Sequence, residues 1–378
     1  MSAVCLLSAA EVRHALRIRD LTDPSQGRHA IQLLIDAAER ALADRWDVPV
    51  RRRRANPIVP VEDNYDRLGY PPGAAARDAR YSRYLTDQIM LRAHTSAVIP
   101  WALEELAAQP VADVVLSCPG IVYRRDAIDR HHVGEPHQLD LWRIRPQGPA
   151  LTAHDLDELI ATLVTTILPG HAWRTTPAVH PYTLHGRQVD VAERDGWVEI
   201  GECGLAHPGI LAGAGLGPEA SGLASGWGLD RLLMLRKGIE DIRLLRSTDP
   251  RVAGQMDDLA PYEPVSSMPP ASRDLSIAVD ELLDAELLGD QVRAALGDQA
   301  ALVESVQILS ATPATQLPPA VLQRLGMRVD QHNVLVRVVL RALERTLTAE
   351  QVNILRDRIY SALHRGSVQQ WACGHPPK

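Results

Sequence analysis

Phenylalanine is absent from this 378-residue chain, although 7 Trp and 8 Tyr are present. A general bias against aromatic residues is therefore excluded. Cysteine is scarce as well: Cys5, Cys118, Cys203 and Cys373 lie far apart with no C-x-x-C pair. That spacing argues against a zinc ribbon or a disulfide framework and suits a reducing cytoplasm. Long apolar runs are missing. The opening MSAVCLLSAAEVRHALRIRD lacks a basic start and is interrupted by charge, so it reads as neither signal peptide nor membrane span. No long Lys/Arg tract occurs and the net charge is −7. Non-specific coating of nucleic acid or of an anionic membrane is disfavoured, while a local basic face stays open. There is no internal repeat and no low-complexity tract.

The length suggests two domains. Apolar residues at helical spacing over 9–18 and 29–43 make 1–50 a helical segment, with Asp23 and Ser25 as candidate caps. The Pro- and Arg-rich stretch 50–73 reads as irregular, and its Arg51–Arg54 run as a solvated surface. From 111 to 228, short alternating segments predict an antiparallel sheet, interrupted by a helix over 151–168 that starts near Thr152 or His154 and ends at Pro169-Gly170. A further helix, LDRLLMLRKG, stops at Gly238. The region 51–250 thus reads as one α+β unit of sheet and flanking helices. Residues 251–268 look like a linker, and 269–378 carry the β-α-β-β-α order of a small ferredoxin-like sandwich.

Three stretches carry chemistry. IVYRRDAIDRHHVGEPHQLDLWRI, at 121–144, is a strand-loop-strand in which alternation puts Val122 and Arg124 on one face, and Gln138 and Asp140 on one face. An arginine suits a phosphate, and an amide with a carboxylate suits an ammonium or hydroxyl group. An ordinary exposed hairpin with scattered charges would look the same. GLASGWGLDRLLMLRKG offers Gly222, Gly226 and Gly228 in a strand and Arg231 in the first turn of a helix, a place suited to phosphates. LRAHTSA sets His94 and Ser96 two apart, facing the same way if the segment is extended.

Taken together with GWVEIGECGLAHPGIL, these motifs resemble the catalytic core of phenylalanyl-tRNA synthetases, class II aminoacyl-tRNA synthetases. MPPASRDLSIAV and RTLTAEQVN resemble that family's ferredoxin-fold anticodon-binding domain. The order matches the single-chain, mitochondrial-type enzyme, and the likeness spans roughly 55–366. The resemblance implies a class II antiparallel sheet flanked by helices. It also implies ATP and Mg2+ as cofactors, and an amino acid and tRNA, tRNA-Phe by family, as partners. Neither a membrane nor a second subunit is expected, and a monomer is preferred over a homodimer. By the same resemblance Arg124 would hold the α-phosphate and the adenylate, and Arg231 the γ-phosphate. Asp126 and His132 would lie near adenine and the triphosphate, and Glu199 near magnesium. His94, Ser96, Gln138 and Asp140 would hold the ammonium and carboxylate of the amino acid, and Ala224 and Gly226 would form the pocket floor.

The chain departs from the family's wording in two places. Asp140 stands where glutamate is usual, and His180-Pro181-Tyr182 where the family has F-P-F lining the side-chain pocket. Pro136 and Ser225 also occupy positions commonly Phe. The substrate is therefore expected to be phenylalanine or a polar or modified aromatic analogue. The missing phenylalanine suggests a protein made while phenylalanyl-tRNA is scarce. Two rival functions are adenylation for a non-tRNA acceptor and a non-catalytic, tRNA-binding regulatory role. Any RNA contact from the last domain would need a local patch such as Arg337, Arg341 and Arg345.

Overall fold

The computed structural model describes residues 6–109, 111–125, 127–193, 196–265 and 268–374. In chain order its strands are β1 (Val50–Arg52), β2 (Ile58–Pro60), β3 (Arg83–Tyr84), β4 (Ile89–Leu91), β5 (Val114–Ile121), β6 (His137–Arg145), β7 (Trp173–Pro177), β8 (Thr183–Glu193), β9 (Gly196–Ala206), β10 (Ser221–Gly228), β11 (Ala271–Val279), β12 (Val303–Pro313) and β13 (His332–Leu340). Two compact units result: 1–124 with 135–239 and 255–262, and 125–134 with 240–254 and 263–378. These limits differ from the sequence-based boundaries. Part of the expected linker is structured within the first unit, where Lys237 Nζ donates to the Asp258 side chain at 3.0 Å and to the carbonyl of Ala260.

The first unit is built on a seven-stranded sheet, β1-β5-β6-β10-β9-β8-β7, antiparallel except for the β1–β5 pair. One face is closed by helices Ala30–Trp46 and Ala153–Ile167, which pack on each other. The second of these begins as expected: Thr152 and Asp155 form a reciprocal capping box. The first is capped by His29 rather than by Asp23 or Ser25, and Asp23 caps a short 3-10 turn instead. On the opposite face helix Ile99–Ala108 covers one half through a core of Leu103, Leu116, Cys118, Trp142 and Ile144. The other half of that face is where the polar residues gather. Three arginines of the Arg51–Arg54 run are half-buried and bonded rather than free in solvent. Arg52 pairs with Asp36 and Glu39, Arg53 with Glu105, and Arg54 with Thr22.

In the second unit the sheet β11-β13-β12 carries helices Ala285–Leu296 and Ala349–Leu363, with Leu275, Ile277, Val336, Val338, Leu355 and Ile359 buried beneath them. The alternating burial of β13 leaves Arg337 half-buried, and that arginine is paired with Asp274 at 2.8 Å. Arg341 pairs with Glu304 and Arg345 donates to Gln351, so the expected basic patch is largely neutralised within the unit. No described helix is long and apolar enough to cross a membrane.

Candidate active site

Strand register decides which residues meet. Gln138, Asp140 and Trp142 of β6 lie opposite Gly228, Gly226 and Ala224 of β10, and Gly226 and Ala224 lie opposite Glu202 and Gly204 of β9. Even-numbered residues of β5 share that face, since Gly120 pairs with Gln138 and Cys118 with Asp140. The alternation continues through Val122, whose N–H donates to the carbonyl of Pro136, to Arg124. The two arms of the hairpin therefore present their key side chains to the same side, as the alternation allowed. Gly120 must be glycine for a different reason. A Cβ there would lie 1.9 Å from Nη2 of the buried Arg92, whose Nε donates to the carbonyl of Ile121 at 2.7 Å.

His94 and Ser96 reach the site by a different route from the one expected. His94 is extended, but Thr95–Val98 is a 3-10 turn, so the pair does not lie along one strand. Thr95 Oγ1 and Ser96 Oγ donate to the two oxygens of Asp140 at 2.5 and 2.8 Å, and Trp142 Nε1 adds a third bond at 3.2 Å. The main-chain N–H of Thr95 donates to Gln138 Oε1. Asp140 is consequently not an open carboxylate: three of roughly four acceptor positions are filled. Burial raises its pKa to about 6, with the three hydrogen bonds acting in the opposite direction.

Burial, and then the charge of Arg124, lower the pKa of His94 to about 4, so its ring is neutral at pH 7. Asn64 Oδ1 accepts from the N–H of Ala93, which turns the Asn64 amide nitrogen toward His94 Nε2 at 3.4 Å. With Nε2 accepting from that amide the ring proton is on Nδ1, which is buried and has no hydrogen-bond partner among the described residues. A buried donor left this way costs about 1–3 kcal/mol. A ligand's carboxylate would remove that cost. The ring is held by stacking on Tyr70, with centroids 5.8 Å apart, and edge-on by Tyr65 at 6.0 Å.

At the other end of the site Arg231, in the first turn of helix Leu229–Lys237, donates Nη1 to the carbonyl of Glu199 at 3.1 Å. The Glu199 carboxyl is raised by burial and by Glu202, and lowered by Arg231 and Arg124. Arg124 therefore acts on both His94 and Glu199. The neighbouring Asp230 is committed elsewhere: its carboxylate accepts the N–H of His137 at 2.5 Å and the His137 ring at 3.0 Å, tying the helix start to β6. Among the described residues no group of three or more His, Cys, Asp or Glu could hold a metal alone. A lone carboxylate beside a phosphate site still suits Mg2+, which keeps its waters and takes few protein ligands.

The third part is aromatic. Tyr182 stacks on Trp142 with centroids 5.9 Å apart and stands 6.2 Å from Tyr70 and 5.6 Å from His180. His180 Nε2 lies 2.8 Å from Glu202 Oε2. The structure thus brings together Arg124, Arg231, Glu199, His94, Ser96, Gln138, Asp140, His180, Tyr182, Ala224 and Gly226. It places His132 in the second unit, where its ring pairs with Asp129 at 2.8 Å, and Asp126 lies outside the described residues. Ser225 does not belong to the site. It faces the other side of the sheet, donating to the carbonyl of Leu141 and accepting from Trp227 Nε1. Sequence reasoning missed Glu202, Thr95, Asn64 and Tyr70. Only Glu202 carried a signal, because alternation along GWVEIGECG sets it beside Gly226 once the strands are ordered.

A sheet face with carboxylate and ammonium ligands at one end and two arginines flanking a carboxylate at the other is built to join an amino acid to a nucleotide phosphate. Residues 47–256 match the family model for the tRNA synthetases class II core domain (F). The chain is 36% identical over 243 residues to the phenylalanine–tRNA ligase alpha subunit of Prochlorococcus marinus (strain MIT 9313), covering 62% of this chain and 69% of the relative. Against the alpha subunit of Heliobacterium modesticaldum identity is 32% over 248 residues, 61% and 70% of the two chains. Against the chloroplastic/mitochondrial phenylalanine–tRNA ligase of Arabidopsis thaliana it is 28% over 316 residues, 80% of this chain and 68% of that one. The chain belongs to the class II tRNA synthetase core family (F), enzymes that activate an amino acid and charge tRNA.

Proposed function

We propose that this chain activates an aromatic amino acid of the phenylalanine type with ATP and transfers it to tRNA. The observation that carries the reading is the single sheet face on which His94, Gln138 and Asp140 meet Arg124, Arg231 and Glu199. His94 Nδ1–H is a donor for the substrate carboxylate, and Gln138 and the remaining acceptor position of Asp140 receive the ammonium. With the carboxylate held, its attack on the α-phosphorus is a matter of alignment and charge. Arg124 and Arg231 supply fixed positive charge where negative charge grows, and no side-chain nucleophile is needed. Glu199 is the residue that would hold Mg2+, which when bound neutralises phosphate charge.

We also propose that it acts as a monomer in the cytoplasm: action without a second subunit is supported by the match to the Arabidopsis protein across 80% of this chain, and the cytoplasm by the few, scattered cysteines. The test is ATP–pyrophosphate exchange with each amino acid, followed by charging of bulk tRNA and sequencing of the RNA that becomes aminoacylated. Amino-acid-dependent exchange with charging of one tRNA is expected. Exchange without charging would point to another acceptor, and no exchange would sink the reading.

A further inference from the structure

Asp140, Gly226 and Glu202 are register partners across β6, β10 and β9. Two carboxylates therefore flank a strip with no side chain, their strands about 10 Å apart by two interstrand spacings. A Cβ on Gly226 would sit 3.8 Å from Asp140 Oδ2, so any larger residue would grow into this strip. The two carboxylates differ in state. Asp140 is buried and bonded by Thr95, Ser96 and Trp142, beside the groups that suit an amino acid's polar end. Glu202 is 39% exposed and held through Oε2 by His180; among the described residues its Oε1 makes no hydrogen bond. The rings beside them are aromatic: Tyr182, Tyr70 and His94, with the fully buried Trp142 stacked on Tyr182.

Aromatic walls suit a flat ring, and an open carboxylate oxygen at the far end suits a donor on that ring. We propose that Glu202, fixed in place by His180, selects an aromatic amino acid whose ring bears a hydroxyl or amino group over phenylalanine. The inference rests on the amino-acid-activating reading above and names the substrate class of that same site. His180 is a positioning residue. Its Nε2 lies 2.8 Å from Glu202 Oε2 and its Nδ1 3.4 Å from Thr183 Oγ1, which leaves the carboxylate as the group that meets the ligand. A bare ring would strip water from Glu202 and return no hydrogen bond, which is how sites built for a donor reject the analogue lacking it.

The test is ATP–pyrophosphate exchange by the full chain with phenylalanine, tyrosine, 3-hydroxyphenylalanine and 4-aminophenylalanine, for wild type, Glu202→Ala, Glu202→Gln and His180→Phe. In the wild type kcat/KM for at least one donor-bearing ring should exceed that for phenylalanine by roughly 100-fold or more. Glu202→Ala should cut that ratio at least about tenfold, Glu202→Gln less because an acceptor oxygen remains, and His180→Phe should cut it while raising KM for the donor-bearing ring more than it lowers kcat. If Glu202→Ala does not fold, the wild-type ratio and the Glu202→Gln variant decide. A wild type that prefers phenylalanine, or a ratio unmoved by both soluble Glu202 and His180 variants, would overturn the selectivity while leaving amino-acid activation standing. Exchange with none of the natural or substituted amino acids would instead overturn the activating reading, and the selectivity with it.

Discussion

The two ends of the site are made differently. At the phosphate end Arg124 and Arg231 act on Glu199, and Arg231 is anchored by a main-chain carbonyl that any residue at 199 would provide. At the side-chain end His180, Glu202, Tyr182 and Tyr70 depend on one another, and their positions come from β9, the start of β8 and a loop near residue 70. On the proposed function the first arrangement binds what every amino-acid-activating enzyme must bind, and the second sets which amino acid enters. A site so divided can exchange one end without disturbing the other.

The sharpest way to break that division is Arg124→Ala. It should lower kcat for pyrophosphate exchange by about 100- to 1,000-fold, in line with loss of one preorganised charge at a reacting centre. The loss should be equal for every amino acid accepted, and a loss confined to one of them would show that the two ends are not separable. Next in size, Arg231→Lys keeps the charge but loses the fork that reaches both the Glu199 carbonyl and a phosphate. It should raise KM for ATP at least about tenfold, leaving the ranking of amino acids unchanged.

Acidity tests the boundary between the ends. Asp140 is useful to an ammonium group only when ionised, and burial raises its pKa from the ordinary carboxylate range to about 6. As pH falls from 7 to 5 the ionised fraction drops, and KM for the amino acid should rise roughly tenfold while KM for ATP does not follow. His94, at about 4, stays neutral across that window. The linkage to stability has the opposite sense to a salt-bridged carboxylate: ionising Asp140 is easier in the unfolded chain, so its contribution is most favourable below about pH 4 and is lost as pH rises through 6. Asp140→Asn should flatten the KM profile. The smallest effect on selectivity is expected from Ser225→Ala. It removes the acceptor for Trp227 Nε1 behind the sheet, and should cost about 1–3 kcal/mol of stability, read from denaturant unfolding, with no change in amino-acid ranking.

How much of this was legible in the sequence follows the same division. Thr152 announced its helix, Gly238 ended the next, and alternation put Gln138 and Asp140 on one face, because each is a local pattern; that Arg124 shares this face came only from the strand register. The 3-10 turn at Thr95–Val98 was not legible. His94 and Ser96 look extended until Thr95 and Ser96 are drawn onto Asp140, a residue far along the chain. Glu202 was missed for a related reason: its meaning arises from a partner on β10 and a histidine that precedes β8, and the alternation along GWVEIGECG points to it only once the strands are ordered. Ser225 shows the reverse: it stands at a position commonly Phe in the family, and one step of strand alternation turns it away from the site.

The measurement that bears most directly on a shared phosphate end with its own side-chain end is a competition. Wild-type protein would be incubated with ATP and an equimolar mixture of phenylalanine, tyrosine, 3-hydroxyphenylalanine, 4-aminophenylalanine and the remaining natural amino acids, and the enzyme-bound adenylate identified by mass spectrometry. The predicted product is the adenylate of a ring bearing a hydroxyl or amino group, and a predominance of phenylalanyl adenylate would contradict the account.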